Sequence, residues 1–318
     1  MAGEALAALF NAFLIHVKVG MPSLAVGDVY IHPDANSSVA PHLKAHLPYS
    51  STELYVVQVP PAPDSTVFAT FPPTESPSKS GDWSVGVLGI TGTPQTEFWF
   101  WSSAEGAPTI NVDEDGEDHF QSAYAQFERM LKLISKMHPK KETLRVGSLH
   151  HRIAYHIPQT IPREVQRIAV FNNLVFSKDS LPPPDSRTQV IGLKYIFKEV
   201  AVEDLDDVVE TSTVVRIKAS LAATSSTGAY LASSEDRRAQ AWSFISREGA
   251  ISSVYVRPEV RRMGLGKETM KKELEKGFVF RKFIIAHVFP TNTTSLGLCQ
   301  SLGARRTSDV IWITVLLN

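Results

Sequence analysis

A short run of basic residues and glycines, placed between a predicted strand and a predicted helix, is the part of the sequence best suited to chemistry. The run is Arg261, Arg262, Met263, Gly264, Leu265, Gly266 and Lys267. Backbone N–H groups at the start of a helix are free, the helix dipole is positive there, and glycine lets a ligand approach the backbone. The run therefore predicts a site for an anion such as a phosphate, with Arg262 and Lys267 expected to reach it. A basic helix start that binds nothing is the alternative.

The elements around this run follow in an order that would build a pocket. Three consecutive strands joined by short turns predict an antiparallel meander, and the third strand leads directly into the run. A helix ended by Gly277, another strand and a short helix capped by Gly303 come next. The predicted strands cover 228–232, 240–246, 250–256 and 282–289, and the predicted helices cover 268–276 and 294–302.

At this point the sequence resembles the GNAT acyltransferases. Their pattern V-x-P-x-x-R-x-x-G-x-G, then a strand, then N-x-x-S-x-x-x-Y-x-x-x-G, is met from Val256 to Gly303 except that Cys299 stands where a tyrosine is usual. Within that superfamily the chain is most similar to the glycine N-acyltransferase-like branch. The residues that carry this likeness are Ser177-Lys178, Phe197-Lys198, Trp242 and His287-Val288.

The resemblance implies that acyl-CoA is a co-substrate bound in a notch between the third strand and the strand ending at His287-Val288. Its pyrophosphate would lie on residues 261–267. Backbone groups of Val254 and Val256 would hold the pantetheine arm, and Asn292 and Ser295 would border the cofactor. Direct transfer then requires an amine to attack the thioester while some group accepts the amine proton.

The proton-transfer groups of the family are missing, so the candidates come from this chain's own residues. Glycine N-acyltransferases carry a glutamate base where this chain has Ala250. His287 has a side chain suited to a base, although a structural histidine is the alternative. Ser252 shares a strand face with Ala250 and would hold a relay water. Glu248 lies two residues before Ala250, in a turn. Cys299 is either a small apolar helix residue or a thiol that protonates the leaving thiolate.

The rest of the chain predicts a second α/β domain. Strands are expected over 53–59, 83–90 and 96–101, the last covered on both faces, followed by an acidic loop over 111–118 and a helix over 119–137. Beyond the proline-rich segment 177–186 the pattern predicts a strand over 190–199 and the start of a helix over 202–209. A first helix is also expected near the N-terminus.

These elements predict domains over 1–180 and 187–318. The fold class is α/β (α+β), with a C-terminal GNAT fold whose sheet is mixed and mainly antiparallel. A degenerate half of the same type is one option for the N-terminal domain.

Composition narrows the function classes. A net charge of −1 gives no field to attract nucleic acid or an anionic membrane, and one cysteine among 318 residues excludes an internal disulfide framework and cysteine-cluster metal sites. His150, His151 and His156 match no common metal-ligand spacing, so no metal is predicted. No run is long enough to span a bilayer, which favours a soluble intracellular protein, cytoplasmic or mitochondrial.

The sequence therefore predicts an N-acyltransferase that moves an acyl group from acyl-CoA to an amine of a small molecule or amino acid. A non-catalytic acyl-CoA-binding protein with the same fold is the alternative, because the usual base and acid are missing. Acylation of protein N-termini or lysines is a third possibility.

Overall fold

The computed structural model describes residues 28–58, 65–79, 81–89, 98–106, 114–157, 169–184, 186–233 and 238–317. Its strands are β1 (Tyr30–Ile31), β2 (Ser65–Ala69), β3 (Ser84–Gly89), β4 (Phe98–Ser102), β5 (Thr143–His150), β6 (Ala169–Ser177), β7 (Tyr195–Lys198), β8 (Ser226–Leu231), β9 (Ala241–Ile245), β10 (Ala250–Val256), β11 (Phe283–Val288) and β12 (Arg305–Leu316). Its helices are α1 (Ala35–Ser38), α2 (Ala40–Ala45), α3 (Ser51–Gln58), α4 (Glu114–Met137), α5 (His151–Tyr155), α6 (Ser186–Lys194), α7 (Leu205–Thr211), α8 (Lys218–Ala222), α9 (Leu265–Gly277) and α10 (Thr293–Ser301).

The chain folds into two units that do not follow chain order. The C-terminal unit consists of Asn172–Thr307, and the N-terminal unit runs to Phe171 and also takes in the chain from Ser308 onwards. Most of β6 therefore belongs to the C-terminal unit, where it pairs with β11, and most of β12 belongs to the N-terminal unit, where it pairs with β5. The units differ from the expected domains 1–180 and 187–318 in these two strands, because sheet pairing joins residues distant in sequence.

The sheet of the N-terminal unit has the order β1-β2-β3-β4-β5-β12 and is covered on both faces. Alternation along β4 sends Phe98 and Phe100 towards α4, whose Phe127 and Met130 lie in the same cluster. Trp99 and Trp101 of β4 pack on the opposite side with buried residues of α2 and α3. All five residues of β4 are buried, which confirms the prediction of a strand covered on both faces.

The sheet of the C-terminal unit has the order β6-β11-β10-β9-β8-β7. Its neighbours are antiparallel except for β10 and β11, which run parallel. One face packs against α9 and α10 through Met270, Leu274 and Cys299. Trp242 and Phe244 lie in a different cluster with residues of α7 and α8. The predicted mixed, mainly antiparallel sheet is confirmed.

The two units repeat one connection. In each, a strand leads through a helix to a neighbouring parallel strand: β4–α4–β5 in one and β10–α9–β11 in the other. In each, the parallel ladder joins only the first two residues of the earlier strand, Phe98 and Trp99 or Ala250 and Ile251. This repeat supports the option that the N-terminal domain is a degenerate half of the same type.

Three predicted segments differ in the structure. Residues 53–59 were expected to form a strand, but 53–58 lie in α3, where helical spacing brings Leu54 and Val57 to the core while Glu53 is also buried. Residues 190–199 divide between the end of α6 and β7. The predicted acidic loop is helical from Glu114 onwards. The expected first helix lies outside the described residues.

The remaining elements of the C-terminal unit follow the predictions. The meander of β8, β9 and β10, the helix α9 ending at Gly277, the strand β11 and the helix α10 all form. Gly303 has a φ of +83°, the left-handed conformation expected at a helix end. No helix of the described part of the chain is both long enough and apolar enough to cross a membrane.

Candidate functional site

The parallel strands β10 and β11 are paired only at one end. Ala250 lies opposite Ile285 and Ile251 opposite Ala286, and no further pair joins these two strands. Beyond this point the pairing of β10 with β9 shifts register between Ser252 and Tyr255, which marks a β-bulge. The strands therefore part beyond Ile251. Backbone groups of β10 from Ser252 to Val256 border the resulting notch.

The turn after β10 has the backbone geometry of an anion site. Arg262 has a φ of +65° and Gly264 a φ of +85°. Helix α9 starts at Leu265, and no side chain caps its N-terminus. The N–H groups of its first turn are thus available to a ligand, with the positive end of the helix dipole behind them.

Gly266 allows the turn to lie against the end of the notch. A Cβ at this position would lie 2.8 Å from Cγ2 of Val256, closer than real contacts allow. Leu265 is buried against Ile191 and Tyr195 and fixes the other side of the turn. The close approach of strand and turn suits a ligand that runs from the notch to the helix start, so the residues present fit a coenzyme A pyrophosphate.

The basic side chains of the turn have different environments. Arg261 donates from Nε to the carbonyl of Val256 at 2.9 Å, and its guanidinium lies 5.4 Å from the ring centre of Tyr255, so it is held on β10. Arg262 is exposed and Lys267 half-buried. Met263 is 43% exposed. Arg262 and Lys267 are thus the cations of the turn that remain suited to a ligand phosphate.

Asn292 and Ser295, predicted to border the cofactor, form the N-cap of α10. The Oδ1 atom of Asn292 accepts a hydrogen bond from the backbone N–H of Ser295 at 3.0 Å. This contact fixes the start of the helix that follows β11. The contact of either residue with a ligand stays a prediction.

Cys299 is a core residue on the helix side of the sheet. It is 3% exposed and lies in one cluster with Ala286, Val288 and Leu302. Burial raises the pKa of its thiol to about 12, so the thiol is protonated at neutral pH. These surroundings match the interpretation of Cys299 as a small apolar residue.

His287 lies on the other face of β11. Alternation places it with Ile285, which packs against Ala250, and opposite to Ala286 and Val288. Burial lowers the pKa of His287 to about 4, so its imidazole is neutral at pH 7. Ser252 shares the face of Ala250 by the same alternation. His287, Ala250 and Ser252 therefore face the same side of the sheet.

Three polar groups of the C-terminal unit were not found from the sequence. Asn173 pairs with His287 in the β6–β11 ladder, and its Oδ1 is buried without a hydrogen-bond partner. Ser253, at the bulge with a φ of +50°, has a buried Oγ without a partner. Arg216 has a buried Nε without one, and the charge of Glu248 acts on it. No sequence pattern marks such groups, because only tertiary packing buries them.

Helix α4 of the N-terminal unit begins at Glu114, in a part of the sequence that is rich in acidic residues. Among the residues that the structure describes, no three His, Cys, Asp or Glu side chains come together as a group suited to a metal ion.

Two protein-family models match the chain, one in its N-terminal part and one in its C-terminal part. Residues 26–179 match the model of the acyl-CoA N-acyltransferase verG N-terminal domain, and residues 226–313 match the FR47-like protein family. No curated protein matches the chain.

Among solved structures, a Drosophila protein aligns over 92% of this chain and 100% of its own, with 13% identity and a TM-score of 0.59. A tandem GNAT protein from the clavulanic acid biosynthesis pathway aligns over 92% and 99%, with 13% identity and a TM-score of 0.45. Together, the two family matches support the fold of an acyl-CoA N-acyltransferase.

Proposed function

We propose that the chain is an acyl-CoA-dependent N-acyltransferase of the glycine N-acyltransferase-like branch, acting on the amine of a small molecule. The parting of β10 and β11, which opens onto the uncapped start of α9, is the observation that supports this most directly. The pyrophosphate would lie on 261–267, with Arg262 and Lys267 at its oxygens. The backbone of Val254 and Val256 would hold the pantetheine arm.

The reaction is direct transfer. The amine lone pair attacks the thioester carbonyl, a C–N bond forms, the C–S bond breaks, and the thiolate of CoA leaves and takes up a proton. The amine loses its proton to a base. The face that carries His287 and Ser252 supplies the candidates, and the unpartnered Oδ1 of Asn173 is an acceptor for an amine N–H.

His287 is the candidate base, because its lowered pKa leaves the imidazole neutral above about pH 4 and so able to accept a proton. We expect His287→Gln to lower kcat by about 10²-fold or more while the Kd for acetyl-CoA stays unchanged. The ratio of wild-type to variant rates should stay constant from pH 5 to 9, because the imidazole does not titrate in that range. Rates of CoA release with an added amine measure this.

A matched control and a stability measurement separate chemistry from folding. His119→Gln changes a histidine of the N-terminal unit that is 53% exposed, and it should leave kcat unchanged. A loss of Tm without a loss of kcat in His287→Gln would make His287 a structural residue. A rate ratio that rises as pH increases through 6.5 would show that the imidazole titrates normally, in conflict with its burial.

A non-catalytic acyl-CoA-binding protein is the second candidate. Ala250 in place of a glutamate, the buried neutral thiol of Cys299 and the low basicity of His287 favour it. Both candidates predict binding of acyl-CoA. Only the enzyme releases CoA when amines are added, so a panel of free amino acids, alkylamines and lysine-containing peptides distinguishes the two and tests protein acylation as well.

A further inference from the structure

The N-terminal unit contains a cavity of about 600 Å³ at one end of its sheet. Trp83 directly precedes β3 and Ser103 directly follows β4, and both residues line this cavity. Because β3 and β4 run antiparallel, the two residues mark the same end of the sheet, where the N–H of Ser103 donates to the carbonyl of Trp83 at 2.9 Å. The end of α2 and the chain between β2 and β3 supply more of the wall. A cavity of this volume has room for a small molecule.

Two histidines line the cavity from the end of α2. His42 and His46 are four residues apart, which places their side chains on one side of the helix. Their ring centres lie 6.2 Å and 5.4 Å from that of Trp83. A Cβ at Gly106 would lie 2.8 Å from Nδ1 of His46, so this glycine lets the imidazole approach the end of β4. Among the residues that the structure describes, none forms a hydrogen bond with either ring, so each imidazole has a nitrogen able to donate to a ligand.

Two further donors lie in the wall of the cavity. The Oγ atom of Ser103 accepts a hydrogen bond from the N–H of Trp83 at 3.1 Å, which leaves its own O–H to donate. The exposed ammonium group of Lys79 adds a positive charge to the same wall. Asp82, the carboxylate among the described wall residues, already bonds the ring of His119 at 2.8 Å. The donors that remain open to a ligand, together with the charge of Lys79, suit an anion.

The apolar side of the cavity is aromatic and closely packed. Trp83 is 6% exposed, and its ring meets those of Phe71 and Trp101 edge to face, with ring centres 5.5 Å and 5.0 Å away. Phe71 and Trp101 are buried in the same core cluster, so these contacts hold the indole of Trp83 in place. A flat ring of a ligand packs favourably against such a wall. The cavity therefore combines an aromatic side with a group of hydrogen-bond donors.

We propose that this cavity binds a small aryl carboxylate, whose carboxylate bonds His42, His46 and Ser103 and whose aromatic ring packs against Trp83. Lys79 attracts the same negative charge. Hydrogen bonds to an ionised carboxylate are stronger than those to a neutral amide, so the cavity distinguishes an acid from its amide. Every residue of this site belongs to the N-terminal unit, and the inference does not depend on the proposed acyl transfer.

Isothermal titration calorimetry of the full chain with phenylacetate, phenylacetamide and acetate tests both parts of this ligand. Phenylacetate should bind with a Kd of about 1 mM or below, the range expected for a ligand of about ten non-hydrogen atoms. Phenylacetamide lacks the charge and acetate lacks the ring, so each should bind at least about 10-fold more weakly. Equal affinity for phenylacetate and either of the other two compounds would overturn the inference, as would the absence of phenylacetate binding.

Variants of the wall locate the binding site. His42→Gln and His46→Gln should each weaken phenylacetate binding by about 10-fold, the loss expected for one hydrogen bond to a charged group, and should change phenylacetamide binding less. Lys79→Gln changes an exposed side chain, so it should fold normally, and it should weaken phenylacetate binding by about 3-fold without affecting phenylacetamide. His138→Gln changes a half-buried histidine that directly follows α4 outside the cavity wall, and it should alter neither affinity.

The Tm of each variant and a titration with acetyl-CoA complete the test. Equal Tm values show that the variants fold. An equal loss for phenylacetate and phenylacetamide in His42→Gln and His46→Gln would make both histidines structural and overturn the inference. Competition between phenylacetate and acetyl-CoA would also overturn it, because the carboxylate would then occupy the C-terminal unit. A wild type that binds phenylacetate but no acyl-CoA would overturn the proposed function alone.

Discussion

Replacing Gly264 with glutamate is expected to weaken acetyl-CoA binding by at least about 100-fold. The loss has two causes: the new side chain strains a left-handed backbone conformation, and its negative charge takes the place of a phosphate. Gly264 has a φ of +85°, a conformation that L residues rarely adopt, and it directly precedes α9. A carboxylate at this point repels the pyrophosphate and caps the amides that would bind it. Isothermal titration calorimetry with acetyl-CoA and with a longer acyl-CoA measures the loss.

Two further variants divide this effect into its causes. Gly264→Ala adds the strain without the charge, and its Cβ would only meet Cδ1 of Ile191 at 3.4 Å, so a smaller loss is expected. Gly81→Glu adds a carboxylate at a glycine of the N-terminal unit with open space around it, and binding should be unchanged. Equal affinity of wild type and Gly264→Glu would remove the turn from the binding site. Failure of the wild type to bind either acyl-CoA would leave only the fold.

The C-terminal unit was largely predictable because its signals are local and agree with one another. Pro258 follows a strand, Gly264 and Gly266 mark a turn that needs a left-handed residue and a close approach, and Gly303 ends a short helix. Each of these residues determines the backbone structure only within a few positions of itself. The order β10–α9–β11 and the position of the anion turn follow from them.

The segments that sequence reasoning missed depend on distant partners. Residues 53–58 have strand-like composition, yet packing against the N-terminal core makes them a helix. The pairing of β12 with β5 joins Val310 to His150 across 160 residues, and no local pattern indicates it. The same holds for chemistry. Arg216 and Asn173 each have a buried atom without a hydrogen-bond partner, and His287 has a low pKa. These properties arise because elements far away in the sequence bury the three side chains.

Two carboxyl groups of the N-terminal unit, the buried Glu53 and the half-buried Glu105, lead to the second large effect. Glu53 of α3 is 3% exposed, and burial raises its pKa to about 8. Burial, and then the charge of Glu53, also raises the pKa of Glu105 well above its ordinary range, although Glu105 accepts a hydrogen bond from the N–H of Ser102 at 3.0 Å. Glu53 therefore stays largely protonated at neutral pH in the folded protein, whereas in the unfolded chain it is ionised.

Glu53→Gln is accordingly expected to stabilise the protein, and increasingly so as the pH rises. Between pH 4.5 and about 8 the folded wild type holds a proton that the unfolded chain has released. Its free energy of unfolding therefore falls as pH rises, by up to about 1.4 kcal/mol per pH unit for one group. Glutamine has a similar shape and cannot ionise, so the variant lacks this loss and should be roughly 2–4 kcal/mol more stable at pH 8.

Urea unfolding of wild type and variant at pH 5, 6.5 and 8 measures the difference between their free energies of unfolding. Both proteins contain the same histidines, so the contributions of the histidines cancel in this difference. The difference should be small at pH 5 and largest at pH 8. Glu75→Gln, at an exposed glutamate of the same unit, should change nothing at any of these pH values. The contrary result is a Glu53→Gln variant that is less stable than the wild type by an amount that does not vary with pH. It would mean that Glu53 is ionised in the folded state and bound to a cation, contrary to the burial that the structure shows.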